Sequence, residues 1–279
     1  MNYGLIQLVI VLYNVDIEES ETFQSLVMPL LKFECSLFIY DNSPIRQASR
    51  IFEESKEIVY VHDAHNSGLS KAYNVAAKHA RKNNKKYLLL LDQDTLFPEG
   101  SLNIYCDAFH KYPEIKLFAP ILYIKNEKIM SPCKYKYKWG KLIDSIVPGV
   151  YSLDQYVPVN SGLCIDLNAF LEVGGYNENV KLDGADFQFI ERFKTRYTDF
   201  VVLNLQLFQN FSLFDQDISS VSARYKMFIA DLTNFETKSI VDKFWYQRII
   251  IIRTILLTLK SKNMFFIKTY FNKFLNPFR

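Results

Sequence analysis

Over the first ninety residues, short apolar runs alternate with stretches whose apolar positions recur every three or four residues. The runs are Leu5–Leu12, Leu37–Tyr40, Ile58–Val61 and Tyr87–Leu91. Runs with hardly a polar break suit strands covered on both faces, the usual state of a parallel sheet. Between them, Ile17–Leu31 predicts a helix whose acidic residues crowd the first turn, where the helix dipole favours them. Arg46–Ser55 predicts a shorter helical stretch. Ser70 to about Lys82 predicts a longer one, with Ala72, Val75, Ala76 and Ala80 at helical spacing and lysines on the other side. This alternation predicts an α/β protein with a doubly wound, mainly parallel central sheet flanked by helices.

Each predicted strand ends in a polar cluster: Tyr13-Asn14, then Asp41-Asn42-Ser43, then His62-Asp63 with Asn66, then Asp92-Gln93-Asp94. In open α/β sheets, ligands bind just beyond the carboxyl ends of the strands. Asp92 and Asp94 are close enough in sequence to share one hard cation, Mg²⁺ or Mn²⁺, with substrate phosphates completing the shell. On this segment alone an ordinary Asp-rich turn explains the residues equally well.

The second half alternates less regularly. Leu117–Tyr123 predicts a strand, and Val159–Ile165 a strand carrying a turn at Asn160-Ser161-Gly162. Residues 125–158, rich in Lys, Tyr, Pro and Gly, read as a variable acceptor-side region or a long loop. Phe170–Tyr176 ends a helix through the pair Gly174-Gly175. Asp183-Gly184-Ala185-Asp186 precedes an amphipathic helix from about Phe187 to Lys194. No repeat, low-complexity segment or linker is apparent.

Composition narrows the class. The 279 residues are 49% hydrophobic and 23% charged, the balance of a soluble globular protein. Cys35, Cys106, Cys133 and Cys164 show no CxxC spacing, which favours buried thiols over disulfides or zinc. The four histidines stop at His110. Met1–Gln7 lacks the charge and apolar run of a signal segment, and no apolar stretch reaches the roughly 20 residues of a membrane span. A cytoplasmic location is expected.

Charge is unevenly spread. Residues 243–279 take eight of the 33 Lys and Arg and none of the 30 Asp and Glu, leaving a body of net −5. The tail mixes those cations with Trp245, Ile249–Ile252, Ile255–Leu257 and several Phe. Such a segment can lie in a membrane interface with its cations toward anionic headgroups. Packing on the body or in a homodimer contact is the alternative. The expected division is therefore 1–240 for the main domain and 241–279 for basic helices at the inner face of the cell membrane. Nucleic acid is a poor partner for an acidic body without a reading motif.

The ordered motifs resemble those of a family-2 glycosyltransferase of the GT-A fold, in its rhamnosyltransferase-like branch. Tyr13-Asn14, Asp41-Asn42-Ser43, Asn66-Ser67-Gly68 with Ala72 and Asn74, Asp92-Gln93-Asp94, Asn160-Ser161-Gly162, Gly174-Gly175-Tyr176 and the Asp183–Asp186 cluster carry the resemblance. It implies transfer of a sugar, rhamnose or another hexose, from a nucleotide-sugar (dTDP- or UDP-linked) to a glycan or polyprenyl-diphosphate-linked acceptor in bacterial surface polysaccharide synthesis. By the same resemblance Asp41 contacts the nucleoside, Asn66 and Gly68 shape its pocket and Lys71 neighbours the phosphates. Asp92 lies near ribose and metal, and Asp94 binds a divalent cation that stabilises the departing diphosphate.

An inverting reaction needs a carboxylate to take the acceptor's proton. Asp186 matches that position, with Asp183 in reserve, although either Asp could simply cap the following helix. Asn160, Ser161 and Gly162 would line the donor sugar or acceptor, and Arg224 would reach the diphosphate. A contact-free turn and a solvated arginine are the plainer readings. Two departures stand out. The histidine many relatives carry late in the chain is replaced by Gln209-Asn210-Phe211-Ser212, and Gln188 stands where the branch often has Glu.

Other classes fit less well. In an aspartyl-nucleophile phosphatase Asp92 would attack phosphate, but Thr95 is one position early and the strand is the fourth. A sugar-nucleotide-forming transferase would carry a Gly-rich, Arg-containing loop after Leu12. A membrane-docked assembly subunit without catalysis is the non-enzymatic alternative.

Overall fold

The computed structural model describes residues 3–33, 35–54, 56–124, 128–209 and 218–274. Met1, Asn2, residues 125–127, Asn210, Phe211, Ser212 and Leu275 lie outside them. The strands are β1 (Ile6–Leu12), β2 (Ser36–Asp41), β3 (Ile58–His62), β4 (Tyr87–Asp92), β5 (Thr95–Leu96) and β6 (Leu117–Ile124), followed by β7 (Lys128–Lys136), β8 (Trp139–Ile143), β9 (Gly149–Ser152), β10 (Leu163–Asp166) and β11 (Asp199–Gln209). The helices are α1 (Ile51–Glu54), α2 (Leu69–Lys82), α3 (Ser101–Lys111), α4 (Leu167–Glu172), α5 (Ala185–Phe193), α6 (Ile218–Thr233), α7 (Ile240–Ser261) and α8 (Phe265–Phe274).

One sheet runs in the order β3-β2-β1-β4-β10-β6-β11-β5. Its first four strands are parallel, as the apolar runs predict; β10 then pairs antiparallel with both β4 and β6. The two faces bury alternate residues of the same strands. Val9 and Val11 enter the core beneath α2, α4 and α5, whereas Ile6, Leu8, Ile10 and Leu12 enter the one beneath α3. That two-sided burial is why the strands read as continuous apolar runs. Parallel register places Leu12, Asp41 and His62 in one row, with Asp92 beside Val11. The polar strand ends therefore meet along one edge of the sheet.

Three expectations change. Ile17–Leu31 is not one α-helix but a 3-10 turn (Ile17–Glu19), a π turn (Phe23–Val27) and a second 3-10 stretch (Met28–Phe33). Pro29 has no N–H for an α-helical bond, and the Thr22 hydroxyl is tied to the backbone oxygens of Asp92 and Thr95. Among the described residues of Arg46–Ser55, which leave out Ser55, only Ile51–Glu54 is helical, since the Gln47 side chain instead bonds Val15 and Ile17 backbone groups. The third change lies in 125–158, where β7 and β8 form a hairpin and β9 pairs with β11. Its two-residue turn is Tyr137-Lys138, both at positive φ (53° and 61°). Asn-Gly or Asp-Gly usually announces such a turn, so its sequence gives no signal.

A third core joins α6, α7 and α8 around Tyr225, Tyr246, Ile250 and Phe266. Lys138 at the hairpin turn links this unit to the body, 2.6 Å from Glu191 on α5 and 3.3 Å from Asp242 on α7. Among the described residues, no helix is long and apolar enough to cross a membrane.

Candidate functional site

The ends of β1–β4 wall a cavity of about 490 Å³ lined by Tyr13, Asn42, Asn66, Gly68, Asp92 and Asp94, with Lys181 and Arg224 opposite. Asp41 is not on its surface. It is fully buried and accepts hydrogen bonds from the Ser43 N–H (2.9 Å) and the Tyr60 hydroxyl (2.6 Å), fixing the loop that exposes Asn42. Asn14, left-handed at φ 53°, donates its N–H to Ser43 Oγ. Asn66 is left-handed too, held by its N–H to the Asp63 carbonyl. Asp63 is half-buried, and hydrogen bonds from Ser67, Tyr40 and His65 hold its carboxyl down at about 2 against the desolvation that would raise it.

Gly68 precedes α2 at φ 94°, and a Cβ there would sit 2.4 Å from the Lys181 carbonyl oxygen. Leu69 donates its N–H to that same oxygen at 2.7 Å. Only glycine allows this close approach. Lys71 points elsewhere, its ammonium 3.0 Å from Glu178 and outside the residues that line the cavity.

Asp92 and Asp94 share one neighbour on the far strand. Gln209, the last residue of β11, donates through Nε2 to Asp94 Oδ1 (2.7 Å) and Asp92 Oδ2 (3.3 Å). Burial and the charge of Asp94 push the Asp92 carboxyl up to about 6, against hydrogen bonds from Ser161 and Gln209. Burial also raises Asp94. Two carboxylates raised by desolvation are the donor set a hard divalent ion favours. Among the described residues, the Gln209 Oε1 atom is buried without a hydrogen-bond partner at the same spot. These residues therefore fit a divalent cation, although no group of three or more His, Cys, Asp or Glu gathers among the described residues.

A second cavity of about 350 Å³ shares Leu69, Asp92, Leu182, Gln209 and Arg224 with the first and adds Asn160, Asp183 and Asp186. Asp186 opens α5. Burial pushes its carboxyl up to about 7; the Phe187 N–H at 2.8 Å opposes this, and the charges of Asp92 and Asp183 add to it. Asp183 is engaged differently. Arg224 grips it in two-pronged fashion (3.0 and 3.1 Å), and Arg253 from α7 lies 3.7 Å away. Neither Asp caps the helix, because Gly184 occupies the cap position without a side-chain bond.

The turn before α5 is held by a residue the sequence motifs did not single out. Asp231 on α6 is 1% exposed and accepts three consecutive backbone N–H bonds, from Lys181 (2.8 Å), Leu182 (3.0 Å) and Asp183 (2.9 Å). Asn74 on α2 ties down Tyr176 through both its backbone N–H and carbonyl (2.9 Å each). The Tyr176 hydroxyl in turn bonds Asn160 Oδ1 at 2.5 Å. Ser161 is buried against Thr95 (2.8 Å). Gly162 packs in the core, where a Cβ would meet Pro120 at 2.7 Å. Of the three, only Asn160 faces the cavity. Arg253 was visible in sequence only as the cation that interrupts the apolar run of the tail.

Residues 8–144 match the family model Glycosyl transferase family 2. They are a family-2 glycosyltransferase domain. No curated protein matches the chain. Among solved structures, the chain is similar in fold to GalNAc-T7 in complex with UDP, GalNAc and Mn²⁺ (TM-score 0.54, 11% identity, 75% of this chain and 44% of that one). S. aureus TarS 1–349 is similar too (TM-score 0.56, 13% identity, 86% of this chain and 69% of that one), as is its complex with UDP-GlcNAc (0.55, 12%, 86% and 70%). The chain thus spans less than half the length of GalNAc-T7. The mixed α/β sheet is that of the GT-A glycosyltransferases.

Proposed function

We propose that the protein is an inverting glycosyltransferase that moves rhamnose or another hexose from a dTDP- or UDP-sugar to a glycan or lipid-linked acceptor of a bacterial surface polysaccharide. The observation that carries this reading is the placement of Asp186. It has a carboxyl raised to about 7 and lies on a cavity wall shared with Asp92, next to the cavity at the strand ends. A carboxylate near neutrality is suited to take a proton from an attacking hydroxyl.

In this reading the nucleotide lies over Tyr13, Asn42 and Asn66, and the diphosphate reaches the junction of the two cavities. Asp92 and Asp94 hold Mn²⁺ or Mg²⁺, which when bound offsets the charge of the leaving diphosphate. Arg224, on both cavities, supplies a second positive charge there. Asp183, already engaged by two guanidinium groups, is poorly suited as the base, and the role falls to Asp186. Solved structures of similar fold hold UDP, UDP-GlcNAc and Mn²⁺, which supports a nucleotide-sugar donor.

The tail fits peripheral attachment at the inner membrane face. α7 buries Tyr246, Ile249, Ile250 and Thr254 and exposes Phe244, Ile251, Ile255 and Leu259 on its other side, the side that also carries Arg248.

Asp186→Asn tests the reading. Sugar transfer should fall by about three orders of magnitude or more, within the usual range for a lost general base, while a nucleoside diphosphate still binds in a calorimetric titration. Transfer at the unaltered rate would remove Asp186 from the mechanism.

A further inference from the structure

The β7–β8 hairpin turns one face to the body and the other to solvent. Residues paired across an antiparallel ladder share a face. The register Lys134↔Lys141 and Lys136↔Trp139 therefore sets three lysines and a tryptophan together, all exposed. Tyr135 and Gly140 are on the opposite face, against Phe187 of α5. At the turn, Tyr137 packs on Trp245 with ring centroids 4.6 Å apart, which joins the hairpin to the first turns of α7. There Ile240 (85% exposed), Val241 (60%) and Phe244 (61%) stand in water. Arg248 lies over the Trp245 ring at 5.5 Å, and Asp242 is turned toward Lys138 at 3.3 Å. Exposed apolar and aromatic side chains are thus set among five exposed cations, Lys134, Lys136, Lys141, Lys243 and Arg248.

A contiguous apolar patch of this kind marks a contact surface. A soluble polyanion would engage the cations and leave Ile240, Val241 and Phe244 in water. A lipid surface engages both, with aromatic rings at the headgroup level and cations toward anionic headgroups. The patch also continues along α7 through Ile251, Ile255 and Leu259. Resting on the membrane attachment read from the tail above, we propose that the outward face of the β7–β8 hairpin and the first turns of α7 form one surface that seats the protein on an anionic membrane. Gly140 and Leu142 of the same hairpin line the cavity that holds Asp186. Seating on this surface brings that cavity to the headgroup layer, within reach of a hydroxyl on a lipid-linked acceptor.

The two tryptophans of the chain, Trp139 and Trp245, both belong to this surface, so the fluorescence of the unaltered full chain reports on it. With phosphatidylglycerol vesicles the emission should shift to the blue and be quenched by brominated acyl chains. Lys136→Gln with Lys141→Gln should weaken vesicle binding about 30-fold, the loss of two cations at an anionic surface; circular dichroism verifies that this variant is folded. Sedimentation with vesicles but no quenching and no blue shift would overturn the hairpin surface and leave the tail reading in place. Unchanged affinity in the folded double variant would do the same. No sedimentation with vesicles would overturn both, and binding to dextran sulfate in its place would assign the cations to a soluble polyanion.

Discussion

Arg253, on the tail helix α7, stands 3.7 Å from the Asp183 carboxylate that Arg224 already grips from α6. Its guanidinium also lies over the Phe228 ring at 4.1 Å. The basic tail therefore reaches the wall of the candidate site, and two cations share one carboxylate. Either can be lost without leaving Asp183 unpaired. Arg224→Ala and Arg253→Ala should each cost about 1 kcal/mol of stability. The double variant should cost about 3 kcal/mol or more, because a partly buried charge then has no partner. Urea denaturation of the four proteins measures the coupling, and additive losses would mean that the guanidinium groups act independently.

Asp231 makes a sharper case for positioning. Its carboxylate accepts three backbone N–H bonds from the turn that carries Asp183, and in Asp231→Ala all three donors lose their acceptor. A loss of about 3 kcal/mol is expected, with water recovering part of the deficit. If the turn sets the site, the donor KM should stay within a few-fold while kcat falls at least tenfold. Thermal denaturation and steady-state kinetics on the same preparation separate the two effects. A variant that is less stable but turns over normally would confine Asp231 to folding.

The raised carboxyls give the metal-free protein a defined pH dependence. Asp186 sits at about 7 and Asp92 at about 6, both above the ordinary value of 3.8. A carboxyl raised by folding contributes stability that is fully present below its unfolded pKa and is lost as pH rises through its folded one. Stability without metal should therefore fall between about pH 4 and pH 7, by a few kcal/mol for the two groups together. Asp186→Asn removes one of the charges and should be more stable than the unaltered protein at pH 8 while being the least active. Denaturant titrations at pH 5 and pH 8 in a chelator decide this; a slope of opposite sign would mean that neither carboxyl is raised.

The contrast between what the chain announces and what it conceals follows from the range of the interactions. Buried strands, the polar residues that end them and the glycine before α2 are local, and parallel register then aligns the strand ends without further information. Asp41 and Gly162 were expected at the ligand and prove instead to brace the loops behind it, because a motif marks a position and not the direction of its side chain. Asp231, Gln209 and Arg253 act across 48 or more residues on the groups they hold, and nothing beside them in sequence marks those partners. The β7–β8 hairpin was hidden for another reason, since Tyr137-Lys138 adopts a turn that its residue types seldom take.

The exposed side of α7 offers a test of where the protein works. Ile251 (40% exposed), Ile255 (48%) and Leu259 (69%) repeat at helical spacing, opposite the side that carries Arg253 toward Asp183. Each such side chain contributes on the order of 1.5–3 kcal/mol when moved from water into an apolar phase, and each nearby cation about 1 kcal/mol at an anionic surface. The full chain should therefore sediment with vesicles containing phosphatidylglycerol and much less with neutral phosphatidylcholine, and added salt should release it. Ile255→Glu with Leu259→Glu should reduce vesicle binding by a factor of 100 or more on that same scale, yet leave transfer to a water-soluble acceptor unchanged, because neither residue lines the cavities. Vesicle binding that survives both substitutions would move the contact elsewhere. A dimer that dissociates on the same substitutions would identify the stripe as an interface between copies of the chain.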